Sequence, residues 1–300
     1  MPPFRRFLLL LACTLPAQGL MGQAGAGSEL WRLAAATIPV PAALATGVAA
    51  SYWNPAQASA GAGQVGLDLI QTPAAVGATG LIGGVRVSLR HVGSLGFVYG
   101  RMGLGDLVRT IDSPDPAGTT IPFYTQSAGL TWAQAFAATT VGAALTYHDT
   151  RLDDTYTHRW TVDLGVSRSL WQDRIRIAAG TRGLRRLGSD PAQDVNLGLQ
   201  VRAWRGTLWG STGGTLVARY GLAFGHLGGA DQQLGAGLDV GSSVSCDAII
   251  ARESSYGNAA WRSAAGIRIA VGRYRLSLAR DGGVSDLGST FRVGLEARRK

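Results

Sequence analysis

Apolar and polar residues alternate along most of the chain from about Gln64 onward. The clearest segment runs from Tyr156 to Leu170. Its even positions from 156 to 166 are Tyr, His, Trp, Val, Leu and Val, whereas its odd positions from 157 to 167 are Thr, Arg, Thr, Asp, Gly and Ser. A period of two places these sets on opposite faces of a β-strand. Some 13 to 15 such segments lie between residues 63 and 298.

This alternation, with no helix-period stretch to interrupt it, predicts an all-β fold. It fits a transmembrane barrel, and it also fits a soluble sandwich or solenoid. The backbone N–H and C=O groups of an unpaired strand edge would find no hydrogen-bond partner in lipid, so the sheet of a membrane barrel closes on itself. Bacterial barrels have an even number of strands. Tyr and Trp recur near segment ends, as at Trp132, Trp171 and Trp204, which is typical of interfacial girdles. We predict a transmembrane antiparallel β-barrel of about 14 strands, with a range of 12–16, over residues 62–300.

The first 26 residues have the features of a secretory signal. Arg5 and Arg6 precede a short apolar run, and small residues that suit a cleavage site follow it. The stretch from Leu10 to Cys13 also resembles a lipobox, which would make Cys13 a lipidation site. In both cases the protein is exported. Together with the barrel, this predicts an integral protein of the bacterial outer membrane, exported through a signal peptide.

Residues 27–61 differ from the rest of the chain because they are rich in alanine and interrupted by prolines. We expect a short N-terminal plug in the mouth of the barrel, with one short helix around Ala42 to Ala50. A flexible periplasmic extension is the alternative interpretation. The predicted domains are therefore a signal peptide over 1–26, an N-terminal segment over 27–61 and a barrel over 62–300.

The polar face of the predicted strands is rich in arginine. The formal net charge is +9, and Lys300 is the only lysine among 28 basic residues. If the apolar face meets lipid, the polar face lines the lumen. The arginines assigned to the lumen are Arg86, Arg90, Arg109, Arg159, Arg174, Arg176, Arg202, Arg219, Arg262, Arg268, Arg273, Arg275 and Arg292, and the acids are Asp68, Asp163, Asp194, Asp239 and Glu296.

This charged face has two interpretations. A ring of one charge sign would attract anions into the lumen. Alternatively, arginines and carboxylates pair and brace the inside of the barrel, which we favour because long side chains in a modest lumen usually pair.

The residues that catalysis or cofactor binding requires are missing. Without an internal lysine there is no Walker A loop and no lysine Schiff base. Two cysteines, Cys13 and Cys246, exclude a zinc site made of paired thiolates. Gly61 to Gly66 matches G-x-G-x-x-G, but a strand follows it where the motif needs a helix. We therefore expect no enzyme activity, no metal and no cofactor. Nucleic acid is not an expected partner, because the arginines alternate through strands instead of forming one patch.

One short motif resembles a known family. Tyr52-Trp53-Asn54-Pro55-Ala56, which follows an alanine-rich stretch, is similar to the segment before the first strand in the PorV/PorQ family of the FadL-like outer-membrane barrels. Gln57 and Ala58 depart from the Gly-Leu of that pattern, and the chain ends in Arg-Arg-Lys instead of the usual aromatic residue. Because Asn-Pro favours a turn, the motif is expected to fold the N-terminal segment back into the lumen.

The resemblance implies two functions. PorV-like proteins serve type IX secretion, which would make secretion-system subunits or exported proteins the partners, besides outer-membrane lipid. FadL-like proteins pass hydrophobic small molecules through a plugged barrel, and the arginines extend this alternative to anionic ones. A structural outer-membrane protein without transport is the third hypothesis. We expect the first, a component of protein secretion.

Overall fold

The computed structural model describes residues 30–31, 34–47, 49–59, 64–71, 77–89, 92–105, 107–108, 120–184, 194–224, 230–253, 260–282 and 289–298. Within them, 14 strands form one closed barrel in which each strand pairs antiparallel with the next and the last pairs with the first. The strands are β1 Gln64–Gln71, β2 Ala78–Leu89, β3 Gly93–Leu104, β4 Phe123–Phe136, β5 Thr139–Leu152, β6 Thr155–Leu170, β7 Ile175–Arg182, β8 Asp194–Trp209, β9 Thr212–Phe224, β10 Ala230–Val240, β11 Val244–Glu253, β12 Ala260–Val271, β13 Tyr274–Asp281 and β14 Thr290–Arg298. The predicted fold class and strand number are confirmed.

The two ends of the barrel differ. Gln64 pairs with Arg298, so the barrel begins and finishes at the same end. At this end the strands are joined by connections of at most four residues, and we call it the turn end. At the opposite end, the loop end, the connections are longer, up to the 18 residues between β3 and β4, except for the two-residue turn between β5 and β6.

Each strand presents an apolar face outward. The outward residues on β1 are Val65, Leu67 and Leu69, which are 58%, 44% and 53% exposed, whereas inward Ile70 is 2% exposed. The same alternation runs through β6, where Thr161, Asp163 and Ser167 are buried inside. The outer surface of the barrel is thus apolar around its whole circumference, as expected of a transmembrane barrel.

The tight turns use residues that tolerate a left-handed backbone. Gly272, between β12 and β13, has φ 59°, and Gly210, between β8 and β9, has φ 55°. A glycine reaches this conformation without the strain that a Cβ would cause. The phase of the alternation reverses across Gly272, which is why Ile269 and Leu276 lie side by side on the outer face.

The described residues before β1, namely 30–31, 34–47 and 49–59, lie inside the barrel, and we call them the inner segment. The predicted single helix around Ala42 to Ala50 is wrong. Two short 3-10 turns, Ala42–Leu44 and Ala49–Tyr52, replace it, and a third, Pro55–Ser59, follows. Gly47 interrupts the chain between the first two with φ 105°, a conformation that no helix contains. Among the described residues, no helix is long and apolar enough to cross a membrane.

Candidate functional site in the barrel lumen

The inner segment packs against an apolar patch on one side of the lumen. Five inward residues of β1, β2 and β3 form this patch, namely Ile70, Ala78, Ile82, Val98 and Met102. They contact buried side chains of the inner segment, which include Leu30, Trp31, Tyr52 and Trp53. Alternation alone missed the patch, since a polar lumen was expected. The signal was present in β2 and β3, which carry apolar residues on both faces.

Inward glycines let the inner segment approach the wall. A Cβ placed on any of six wall glycines would come within 3.0 Å of the inner segment. The contacts are Gly100 with Trp31, Gly142 with Pro55 and Ala56, Gly165 with Asn54, Gly198 with Leu44, Gly221 with Pro41, and Gly266 with Pro39. Real Cβ atoms essentially never show such distances. The position of the segment therefore depends on the absence of side chains at these sites.

Asn54 holds the fold of the inner segment. It is fully buried, its Nδ2 donates to the Ala43 carbonyl at 2.9 Å, and its Oδ1 accepts the Ala56 N–H at 3.0 Å. Gln57 Nε2 donates to the same Ala43 carbonyl at 3.0 Å. An asparagine that binds the backbone two residues on sets a tight turn. These bonds tie the Asn-Pro motif to the first 3-10 turn, 11 residues earlier in the chain.

Tyr52 joins the inner segment to the wall through its hydroxyl. The oxygen accepts hydrogen bonds from Arg182 Nη2 at 2.7 Å and Ser127 Oγ at 3.2 Å. The ring packs on Trp31 and Trp53, with centroids 4.7 and 5.0 Å away. Burial raises the pKa of Tyr52 to about 12, although the Arg182 charge acts in the opposite direction. The phenol is therefore neutral at physiological pH.

Ion pairs line the wall from β9 through β14 to β1. Asp247 binds two arginines, Arg219 and Arg268, each at 2.6 Å, and Arg292 binds Asp68 at 2.6 Å. Arg262 pairs with Glu253 and lies 3.6 Å from Asp281, while Arg275 lies 3.5 Å from Glu296. This arrangement agrees with the bracing interpretation, in which carboxylates balance the arginines.

Three of these arginines also bind the inner segment. Arg262 donates to the Ala36 carbonyl at 2.8 Å, Arg268 donates to Thr46 Oγ1 at 2.9 Å, and Arg292 donates to the Ala34 carbonyl at 3.4 Å. The ion-paired side of the wall thus adds polar contacts to the close approaches of the inner segment at Gly221 and Gly266.

Most of the remaining predicted lumen residues point inward. Arg86 donates to the Gln57 carbonyl at 3.1 Å, and Arg176 binds Ser167 and the Gln57 side chain. Asp163 accepts from Thr146 and from the Gly183 N–H, and Arg159 borders a small cavity beside Trp31. Arg202 follows the inward phase of β8 next to a bulge. Arg90 and Arg109 lie outside the described residues.

Two arginine predictions are wrong. Arg174 belongs to the exposed turn between β6 and β7, where residues 171–173 have positive φ, so the strand phase ends before it. Arg273 is exposed in the turn after Gly272 and donates to the hydroxyl of Tyr274. Neither lines the lumen.

Asp247 and Arg182 are the main lumen residues that the sequence analysis left out. Asp247 was overlooked because apolar residues on both faces of β11 hide the alternation. Arg182 is absent from the predicted lumen residues, and only the fold shows its contact with Tyr52.

Two cavities with charged residues in their lining lie between the inner segment and the wall. The turn-side cavity holds about 90 Å³ and is bordered by Asp68, Asp247, Glu296, Arg268, Arg275 and Arg292. The loop-side cavity also holds about 90 Å³, and its charged residues are Arg182, Arg262, Asp194, Asp231 and Glu253. Val40 and Trp53 line both cavities. These two side chains therefore lie between the two cavities.

No family model and no curated protein matches the chain. Among solved structures it is similar to the outer membrane protein Omp33 of Acinetobacter baumannii, with 10% identity over 79% of this chain and 98% of that one and a TM-score of 0.46. The KdgM porin is 7% identical over 79% of this chain and 99% of that one, with a TM-score of 0.42. A mutant Rh. blastica porin is 12% identical over 79% of this chain and 98% of that one, with a TM-score of 0.40. Such values support no statement about what this chain does.

Proposed function

We propose that this chain is an integral β-barrel of the bacterial outer membrane whose lumen is closed by its own inner segment, and that it conducts small polar solutes when that segment shifts. The observation that carries the proposal is the pair of cavities with charged residues in their lining, which Val40 and Trp53 separate. A rigid filler of the lumen would need no such cavities along one side of the wall.

The membrane location follows from the outer wall. Its strands present Leu, Val, Ile and Phe side chains to the outside, with Trp and Tyr among them. Burying this surface in hydrocarbon is favourable, and the closed sheet leaves no strand edge in lipid. Outer-membrane barrels have short periplasmic turns and longer extracellular loops. The turn end therefore faces the periplasm and the loop end faces the outside.

The solute class follows from the charges along the cavities. The turn-side cavity has three arginines and three carboxylates, and the loop-side cavity has two arginines and three carboxylates. A path with both signs of charge does not select strongly for anions. Small ions of either sign and zwitterions fit its polarity and its volume of about 90 Å³ on each side.

A plugged barrel corresponds to the channel alternative of the FadL-like resemblance, although charged residues border the cavities of this barrel. A role in type IX secretion gains no support from the described residues, and membership of PorV/PorQ remains a prediction. A purely structural role would leave the two cavities without a use.

The proposal is tested by planar-bilayer conductance of the full chain. Trp53→Ala removes the larger of the two side chains between the cavities, so we expect conductance to rise at least several-fold over the wild type. The matched control is Trp160→Ala, because Trp160 lies on the outer wall at 43% exposure and should leave conductance unchanged. If folded Trp53→Ala protein conducts no better than the wild type, the channel proposal is wrong.

A further inference from the structure

The outer wall near the loop end contains an open groove of about 710 Å³ beside Arg101. Leu69 and Leu81 lie on one side of it, and Tyr99 and Tyr124 lie on the other. Thr79 and Gly103 are the small residues between them. A Cβ on Gly103 would lie 3.3 Å from the Phe123 carbonyl, so glycine keeps the groove open at this position. The groove is therefore apolar along its length and cationic at one point.

Arg101 marks where the outer wall changes from apolar to polar. Along one rung of the sheet, Leu69 pairs with Leu81, and Leu81 pairs with Arg101. The rung continues through Gln126, Asp149 and His158. Strands of membrane barrels are tilted by roughly 35–45°, so a rung climbs out of the hydrocarbon layer as it passes from strand to strand. The change at Arg101 therefore places its guanidinium at the level of the lipid head groups.

The guanidinium of Arg101 is held in place before any ligand binds. Its central carbon lies 4.5 Å from the ring centroid of Tyr124, a cation–π contact. Among the described residues, no carboxylate pairs with it. The neighbouring carboxylate, Asp149, accepts instead from Gln126 Nε2 at 2.8 Å, and Gln126 in turn accepts from the Tyr99 hydroxyl at 3.1 Å. The Asp149 carboxylate therefore binds the Gln126 amide and not the Arg101 guanidinium.

A second arginine repeats the arrangement next to the first. Arg151 on β5 pairs with Tyr124 in the register, and its guanidinium lies 4.8 Å from the ring centroid of Tyr156. Tyr124 thus has an arginine on each side. The charged and titratable side chains on the described residues of the patch are Arg101, Arg151, Asp149, His158, the tyrosines Tyr99, Tyr124 and Tyr156, and Asp153, whose carbonyl accepts from Arg151 Nε at 3.0 Å. Of these groups, Arg101 is the cation that borders the apolar groove, and its guanidinium is complementary to an anion.

We propose that this groove binds one phosphate-bearing lipid of the outer leaflet. The acyl chain lies along Leu69 and Leu81, and the phosphate is held by Arg101, with Arg151 next to it. A guanidinium matches phosphate by two parallel hydrogen bonds, and one that is already stacked on a ring loses little freedom on binding. The inference rests on the proposed membrane location but not on conduction through the lumen.

The test is native mass spectrometry of the full chain in a non-ionic detergent, titrated with dioctanoyl phosphatidic acid. Wild type should bind one lipid, and Arg101→Gln should weaken binding about tenfold, the loss expected for a charge-assisted hydrogen-bond pair. Arg168→Gln is the matched control, because Arg168 is exposed near the turn end of β6, away from the groove. It should bind like wild type.

A second variant tests the apolar part of the groove. Thr79 is exposed on the groove, so Thr79→Phe fills it without changing the backbone. We expect this variant to lose the phosphatidic acid, and we expect wild type to bind dioctanoylglycerol or inorganic phosphate alone at least tenfold more weakly.

Three outcomes would overturn the proposal. Equal binding by Arg101→Gln excludes Arg101, equal binding by Thr79→Phe excludes the groove, and tight binding of inorganic phosphate alone indicates an anion site and not a lipid site. Failure of the membrane location looks different, because then no variant would need detergent to stay in solution.

Discussion

The wall of the barrel holds the inner segment in two different ways. On the side of β1 to β8, apolar side chains and glycines meet it directly, as Ile82 and Gly165 do. On the side of β9 to β14, ion pairs such as Asp247 with Arg219 add to the contacts of Gly221 and Gly266, and the two larger lumen cavities lie mainly along these strands. We call these the packed side and the charged side.

The difference shows how a short segment can close a wide barrel and still move. Close packing on one side fixes the segment through many van der Waals contacts. The attraction energy of these contacts falls sharply when the atoms separate by even a fraction of an ångström. On the other side, the arginines keep their carboxylate partners on the wall when the segment shifts, so no buried charge is left unpaired. Motion away from the charged side therefore costs less than motion away from the packed side.

The largest expected effect comes from breaking the charged side at its centre. Asp247→Asn leaves Arg219 and Arg268 without their shared partner, and loss of one member of a buried ion pair costs about 3–5 kcal/mol. We expect the temperature midpoint of unfolding in detergent to fall strongly, and circular dichroism measures it. Asp173→Asn is the control, because Asp173 lies in an exposed turn, and no shift is expected there. An unchanged midpoint would mean that this network does not brace the wall.

A smaller effect is expected on the packed side. In Gly165→Ala the new Cβ would collide with the Asn54 side chain and the Ala56 nitrogen, and overpacking of this kind costs about 1–3 kcal/mol. Gly213→Ala is the control, because a Cβ there would come no closer than 3.9 Å to another atom. Equal midpoints for the two variants would contradict close packing between the inner segment and β6.

The smallest effect concerns the link between the inner segment and Arg182. Because the pKa of Tyr52 is raised to about 12, the folded protein keeps this phenol neutral where the unfolded chain already ionises. The stabilisation is complete below about pH 10 and is lost between about pH 10 and 12, at roughly 1 kcal/mol per pH unit.

This pH dependence is measured as the difference in unfolding midpoint between wild type and Tyr52→Phe. The wild type should be the more stable protein at pH 8, and its advantage should shrink above pH 10. A constant difference up to pH 11.5 would show that Tyr52 ionises as easily inside the barrel as in the unfolded chain.

The sequence could predict the wall but not what fills it. Alternation set the phase of β6 and the strand number, because lipid outside and polar groups inside impose opposite demands on neighbouring positions. Alternation gave wrong or incomplete predictions where inward and outward positions do not differ in polarity. Met102 and Val98 are apolar inward residues, Asp247 is an acid between apolar neighbours, and the alternation was extended through a turn to Arg174.

The site inside the barrel depends on contacts between distant parts of the chain. Asn54 and Pro55 indicated a turn from local preference alone. The match between Gly165 and Asn54, or between Arg182 and Tyr52, spans more than 100 residues and has no local signal. The glycine content was visible, but only the fold shows which glycines face the inner segment.

The most direct test of the two-sided account compares the rates at which two inward cysteines react with a small charged thiol reagent. Ala279 on β13 borders the turn-side cavity and Ala144 on β5 lies on the packed side, and both are 6% exposed. Each is replaced by cysteine in a Cys246→Ala background, since Cys246 is exposed. We predict that Ala279→Cys reacts at least tenfold faster than Ala144→Cys in folded protein in liposomes. Equal rates, or faster reaction at position 144, would contradict a path along the charged side.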